Sequence, residues 1–140
     1  MDRYLDEARV GPTWLKREEI ADLVAESIHY AADELEYYSL HAFVVMANHV
    51  HLLVTPPGSP SKLLQSVKGY SARAANKLLE RTGEPFWQTE SYDRWLRDEP
   101  KFECVRRYIE NNPVRSGLVA KPEDYRWSSA NAGSKAVVAG

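Results

Sequence analysis

The segment HAFVVMANHVHLLV, residues 41–54, limits the possible folds more than any other part of the chain. It consists of two runs of β-branched and aromatic residues broken by Ala47-Asn48, a pair that reads as a tight hairpin turn. Two adjacent antiparallel strands are therefore expected between Leu40 and Val54. Helical patterns flank them. Upstream, Ile20, Leu23, Val24, Ile28, Ala31, Ala32 and Leu35 recur at spacings of three and four, which predicts an amphipathic helix from Leu15 to about Glu36 with an acidic outer face. Downstream, Ser59 can cap a second helix with Pro60 in its first turn. Leu63, Leu64, Val67, Ala74, Ala75, Leu78 and Leu79 form its core face, and Gly83 is expected to end it.

The segment PFWQTESYDRWLRD, residues 85–98, mixes aromatic and polar residues in near alternation and predicts a third strand. Asp98 then caps a third helix from Glu99 to about Asn112, which Pro113 is expected to stop. Helix, hairpin, helix, strand, helix is most of a ferredoxin-like α+β sandwich, an antiparallel sheet with helices packed on it. The first strand of that sandwich is apparently missing or truncated, because MDRYLDEARVGPT offers little room and no clear alternation. The expected remedies are a short surrogate strand within residues 1–12, a strand donated by a second chain, or codons upstream of this start. The last, a fragment, is the preferred reading.

A length of 140 residues, 44% apolar and 27% charged, suits one soluble domain over residues 1–140 and excludes a disordered tail. Residues 120–140 read as an irregular C-terminal tail, pinned to the body by Trp127. The lone Cys104 excludes an internal disulfide and a cysteine-based zinc site. No run approaches the roughly 18 apolar residues of a membrane span, and the acidic start lacks a signal sequence, so a cytoplasmic protein without a membrane partner is expected. The net charge of −2 conceals an asymmetry: residues 1–40 hold 4 basic against 10 acidic side chains, and residues 61–107 hold 10 against 7. The second half permits a polyanionic partner without requiring one.

His49 and His51 are two apart on a strand and so share a face, while Val50, Leu52 and Val54 take the other. Two imidazoles about 6.6 Å apart along a strand can tilt to share one metal ion, although such a pair also arises by chance on exposed strands. Tyr108 and Asn112 lie one turn apart on the third helix, beside the stripe of Phe102, Val105 and Ile109 expected to be buried. A tyrosine phenolate can attack a phosphate, and an amide oxygen can help to coordinate a hard cation. A core-edge aromatic and a helix cap would fill these two positions equally well. Phosphate-loop, dinucleotide, zincin and serine-hydrolase motifs are absent.

These residues resemble the single-tyrosine HUH transposases of the insertion-sequence 200-like type, and within them the REP-associated tyrosine transposases of bacteria. The resemblance runs from about Phe43 to Ser129. It passes through LHAFVVMANHVHLLVTP, a helix carrying Lys68, Gly69, Tyr70, Ala72 and Asn76, then PFWQTESYDRWLRDE, RRYIENNPVRSGLV and EDYRWSS. It implies His49 and His51 as ligands of Mg²⁺ or Mn²⁺, Tyr108 as the nucleophile on single-stranded or hairpin DNA, and Asn112 as a contributor to the metal site. The implied activity is nicking and joining of DNA through a 5′-phosphotyrosine link, with bacterial cytoplasm and nucleoid as the setting and a homodimer as one option. Lys68, Arg73, Lys77, Arg94, Arg97, Arg106 and Arg107 can follow a DNA backbone, with Trp87, Tyr92 or Trp95 stacking bases. A decayed or domesticated DNA-hairpin-binding protein that no longer cleaves is the alternative. This chain carries Ala47 where family members usually have proline.

Overall fold

The computed structural model describes residues 3–11, 13–58 and 60–131, without the side chains of residue 61 and residues 89–92. Among the described residues, four strands form one antiparallel sheet: β1 (Arg3–Val10), β2 (Ser39–Val45), β3 (His49–Thr55) and β4 (Trp87–Leu96), in the order β2-β3-β1-β4. Helices α1 (Glu18–Asp33) and α2 (Pro60–Leu78) cover one face, and α3 (Glu99–Arg115) covers the other. This is the expected ferredoxin-like α+β arrangement with a third helix added.

The expectation of a missing first strand is corrected. Residues 3–10 form an eight-residue strand at the centre of the sheet, paired with β3 on one side and β4 on the other. Its sequence, RYLDEARV, hides this because both faces are covered, and a strand covered on both faces shows no apolar alternation. Tyr4, Leu5, Asp6, Ala8 and Val10 are all buried. Asp6, the charge that most disguises the pattern, lies beneath α2 with its Oδ1 3.2 Å from Lys68 Nζ.

Helix ends also differ from expectation: α1 spans Glu18–Asp33 inside the expected Leu15 to Glu36, with Leu15 in a separate 3-10 turn over Trp14–Lys16. α2 stops at Leu78, five residues before Gly83, because Glu80 takes a left-handed φ of 57° and Arg81 N donates to Asn76 O at 2.7 Å. α3 runs through Pro113 to Arg115. A proline this close to a C-terminus forfeits one backbone hydrogen bond, and the helix geometry resumes with Ser116 N donating to Asn112 O. Asp98 caps α3 as expected, accepting from Lys101 N.

The described part of the tail, up to Asn131, is tied to the β2 edge. Val45 N donates to Trp127 O, Ser129 N donates to Phe43 O, and Ser128 bridges Val44. Trp127 Nε1 donates to Asp22 on α1, so the expected pin is in place. These bonds satisfy an edge that would otherwise expose unpaired backbone groups. Residues 132–140 of the expected tail lie outside the described residues. Among the described residues, no helix is long and apolar enough to cross a membrane.

Candidate active site

The two-residue period of β3 sends Val50, Leu52 and Val54 into the core under α1 and α2, and His49, His51 and Leu53 toward α3. In β1 the same alternation places Leu5, Glu7 and Arg9 on the α3 side, with Glu7 directly across from His51 and Arg9 across from His49. The histidine rings lie 4.9 Å apart between centroids, nearly perpendicular. From α3, Asn112 reaches His51: its Nδ2 donates to His51 Nε2 at 3.2 Å, with both side chains buried. The Tyr108 ring stands 6.0 Å from the His51 ring, and Tyr108 is 50% exposed. His49, His51, Tyr108 and Asn112 therefore meet in space, although 59 positions separate His49 from Tyr108 in the chain.

Both imidazoles are held neutral. Burial, the neighbouring His51 and Arg9 lower the pKa of His49 to about 4; burial, Arg9 and Arg115 do the same for His51. Asn48, in the hairpin turn, lies with Oδ1 2.9 Å from His49 Nδ1, which assigns the proton to Nδ1 and leaves Nε2 as a free lone pair. The bond from Asn112 makes the same assignment for His51. Its Nδ1 then faces Glu7 Oε1 at 3.2 Å, a close contact too misaligned to be a hydrogen bond. Burial raises the pKa of Glu7, against the opposing pull of Arg9 and Arg94.

Among the described residues, no three His, Cys, Asp or Glu side chains come together to hold a metal. The donor set that does converge is two neutral imidazoles and one amide. It fits a divalent cation in two respects. Each ring's other nitrogen points at a polar group, the arrangement that orients metal-bound histidines. The 3.2 Å between His51 Nε2 and the Asn112 amide is near the roughly 3.0 Å that separates adjacent ligands about 2.1 Å from an octahedral ion, once the amide turns its oxygen inward.

The seven basic residues do not form one surface. Lys68, Arg73 and Lys77 sit on α2, across the sheet from the histidines, and Lys68 is engaged by Asp6. Arg106 is held between Glu103 and Glu110 at 3.0 and 2.8 Å. Arg97 lies over the Trp95 ring, Arg107 is exposed on α3, and Arg94 faces α3 from β4. Of the three aromatics, Trp87 is engaged with Lys68 O and Ser71 Oγ, Trp95 is partly exposed against Tyr4, and the side chain of Tyr92 lies outside the described residues.

Sequence reasoning missed Glu7, Arg9, Asn48 and Arg115. Arg115 lies with its guanidinium 4.0 Å from the Tyr108 ring centroid and donates to Tyr108 O at 3.3 Å. Its spacing of seven from Tyr108, two helical turns, was a usable signal that the expected stop at Pro113 concealed.

Beside Tyr108 a cleft of about 490 Å³ opens between α3 and the β1–β4 half of the sheet, lined by Leu5, Glu7, Arg94, Lys101, Cys104, Val105 and Tyr108.

A solved structure of a REP-associated tyrosine transposase bound to a REP hairpin has a similar fold, with a TM-score of 0.73 and 20% identity over 91% of this chain and 75% of that one. A proposed transposase from Deinococcus radiodurans aligns with a TM-score of 0.55 and 24% identity, over 79% and 89% of the two chains. At these identities the likeness is one of fold. No curated protein matches the sequence. Residues 12–112, most of the chain, including the hairpin and α3 as far as Asn112, match the family described as Transposase IS200 like. The chain belongs to the IS200-like transposase family.

Proposed function

We propose that this chain nicks and rejoins single-stranded DNA, with Tyr108 as nucleophile and a divalent cation, Mg²⁺ or Mn²⁺, held by His49, His51 and Asn112. The observation that carries the reading is the convergence on His51: Asn112 bonds to its ring and the Tyr108 ring stands beside it, so a nucleophile and a ligand set from separate elements adjoin. Membership of a transposase family supports the reaction class, and the hairpin DNA bound by a protein of similar fold supports the kind of substrate.

In the proposed step Tyr108 Oη attacks the scissile phosphorus as the bond to the 3′-oxygen breaks. The phenol loses its proton to water, and the departing 3′-oxygen takes one up. The strand stays attached through a 5′-phosphotyrosine ester that a second 3′-hydroxyl can attack in reverse, joining DNA without an external energy source. A bound divalent cation would draw charge from the phosphate oxygens. His49 and His51, neutral at physiological pH, supply lone pairs without a proton to displace. Asn48 orients the His49 ring through its hydrogen bond, and the Glu7 carboxylate lies against the His51 ring. Arg115 restrains the exposed Tyr108 ring by stacking and adds a cation where the phosphate must approach. Backbone contacts fall to the cations on the α3 side.

The test is incubation with hairpin-bearing single-stranded DNA and Mn²⁺, followed by a denaturing gel. A covalent protein–DNA band is expected. A native-gel shift without that band would instead favour the hairpin-binding protein that no longer cleaves.

A further inference from the structure

The cleft beside Tyr108 is not used by the reaction step described above, yet the nucleophile forms one of its walls. Leu5 and Val105 give it an apolar floor, and Arg94 and Lys101 bring two cations to its rim, against the single carboxylate of Glu7. At about 490 Å³ it lies within the roughly 300–1,000 Å³ of small-ligand clefts. An apolar floor under a cationic rim matches a nucleotide, whose base is flat and apolar-faced and whose phosphate is anionic.

Stereochemistry decides which nucleotide. In phosphoryl transfer the attacking and leaving oxygens lie roughly in line across the phosphorus. The departing 3′-oxygen must therefore leave on the side away from Tyr108 Oη, and so away from a cleft that Tyr108 itself lines. We propose that this cleft seats the nucleotide immediately 3′ of the scissile phosphate, the one that remains joined to Tyr108, with its base against Leu5 and Val105 and its following phosphate near Lys101 and Arg94. This rests on the nicking reading and adds to it a site that selects one base of the cut strand.

Cys104 provides the probe, because it is the chain's sole cysteine, is exposed, and lines the cleft. A random library of hairpin-bearing single strands with Mn²⁺ supplies cleaved DNA, and sequencing the attached strand locates the cut. The rate of Cys104 alkylation by N-ethylmaleimide is then followed with and without that DNA, in the absence of metal, with fluorescence anisotropy reporting binding. Bound DNA should slow alkylation at least about fivefold. Removing the base immediately 3′ of the cut should lower adduct formation about tenfold, the scale of losing one stacked base. Val105→Trp, which fills the cleft, should lower it similarly for intact DNA and hardly further for the abasic strand. Lys101→Glu, at an exposed position that should leave the fold intact, should weaken the protection of Cys104; a melting curve checks the fold of both variants.

If DNA binds and the adduct forms while Cys104 reacts at its free rate, or the abasic and Val105→Trp effects simply multiply, the cleft assignment is overturned and the nicking reading stands. Protection of Cys104 by an uncut hairpin strand with no adduct under any condition would overturn nicking and leave the cleft as a binding site. Absence of DNA binding would overturn both.

Discussion

On the α1/α2 face of the sheet, Phe43, Val45, Val50, Leu52 and Val54 meet Ile20, Val24, Ile28, Leu64 and Val67 in the larger core. On the α3 face a smaller core of Leu5, Ala42, Val44, Leu53, Phe102 and Ile109 gives way along β1 and β3 to His49, His51, Glu7 and Arg9. The same three strands, β1, β2 and β3, build both faces, one residue in two at a time. The apolar face supplies the packing that lets the neutral His51 imidazole and the Asn112 amide stay buried on the other, with His49 half-buried beside them. Both faces also carry a carboxylate on β1, with different surroundings: Asp6 is buried against the Lys68 ammonium, and the half-buried Glu7 lies between an uncharged imidazole and the cations of Arg9 and Arg94.

The contrast is broken most completely by Tyr108→Phe, which removes one oxygen from a half-exposed ring. Covalent adduct should fall more than about 100-fold while DNA affinity stays within about threefold, roughly 0.7 kcal/mol. Adduct yield on a denaturing gel and fluorescence anisotropy read the two quantities; wild-type yield would remove Tyr108 from the role and direct attention to Tyr70 or Tyr92.

Truncation on the other face should do the opposite. Phe43→Ala empties a fully buried position and should cost about 3–5 kcal/mol, lowering the thermal midpoint by on the order of 10 °C. Any adduct formed well below that midpoint should retain Tyr108 as its attachment point, which peptide mapping can establish.

Acid should separate the faces further. The pKa of His51 is lowered in the fold to about 4 from an ordinary 6.5, so protons favour the unfolded chain between those values. The stability this contributes is fully present above pH 6.5 and is lost as pH falls toward 4; His49 acts in the same direction. Asp6 has the reverse sign: burial raises its pKa, against the pull of Lys68, so its protonation favours the fold. In metal-free protein, urea melts should show a loss on the order of 2 kcal/mol between pH 7 and pH 4.5. His51→Ala should flatten that slope and abolish metal-stimulated cleavage. An unchanged slope in the variant would show that His51 does not supply the acid sensitivity.

The smallest effect belongs to Glu80, which caps α2 in a left-handed conformation that glycine adopts at little cost. Glu80→Gly should stabilise the protein by about 0.5–1 kcal/mol in the same urea melts and leave the DNA chemistry unchanged. A loss of stability would mean that the side chain holds the turn.

The hairpin, the three helices, the Asp98 cap and the facing of His49 with His51 were legible in the sequence, because each depends on a period of two or 3.6 residues or on a local cap. The same period put Tyr108 and Asn112 on one side of α3. Tertiary structure decided the rest. β1 was unreadable because a strand covered on both faces has no alternation, and because its charges have partners, Lys68 for Asp6 and the histidine site for Glu7, that are remote in the chain. The extension of α3 past Pro113 depends on packing that outweighs one lost backbone bond, and it brings Arg115 onto Tyr108. Whether a basic side chain is open to DNA or held by a carboxylate, as Arg106 is by Glu103 and Glu110, follows from distances that spacing in the sequence does not set. Local periodicity chose which residues share a face; long-range packing chose which faces meet.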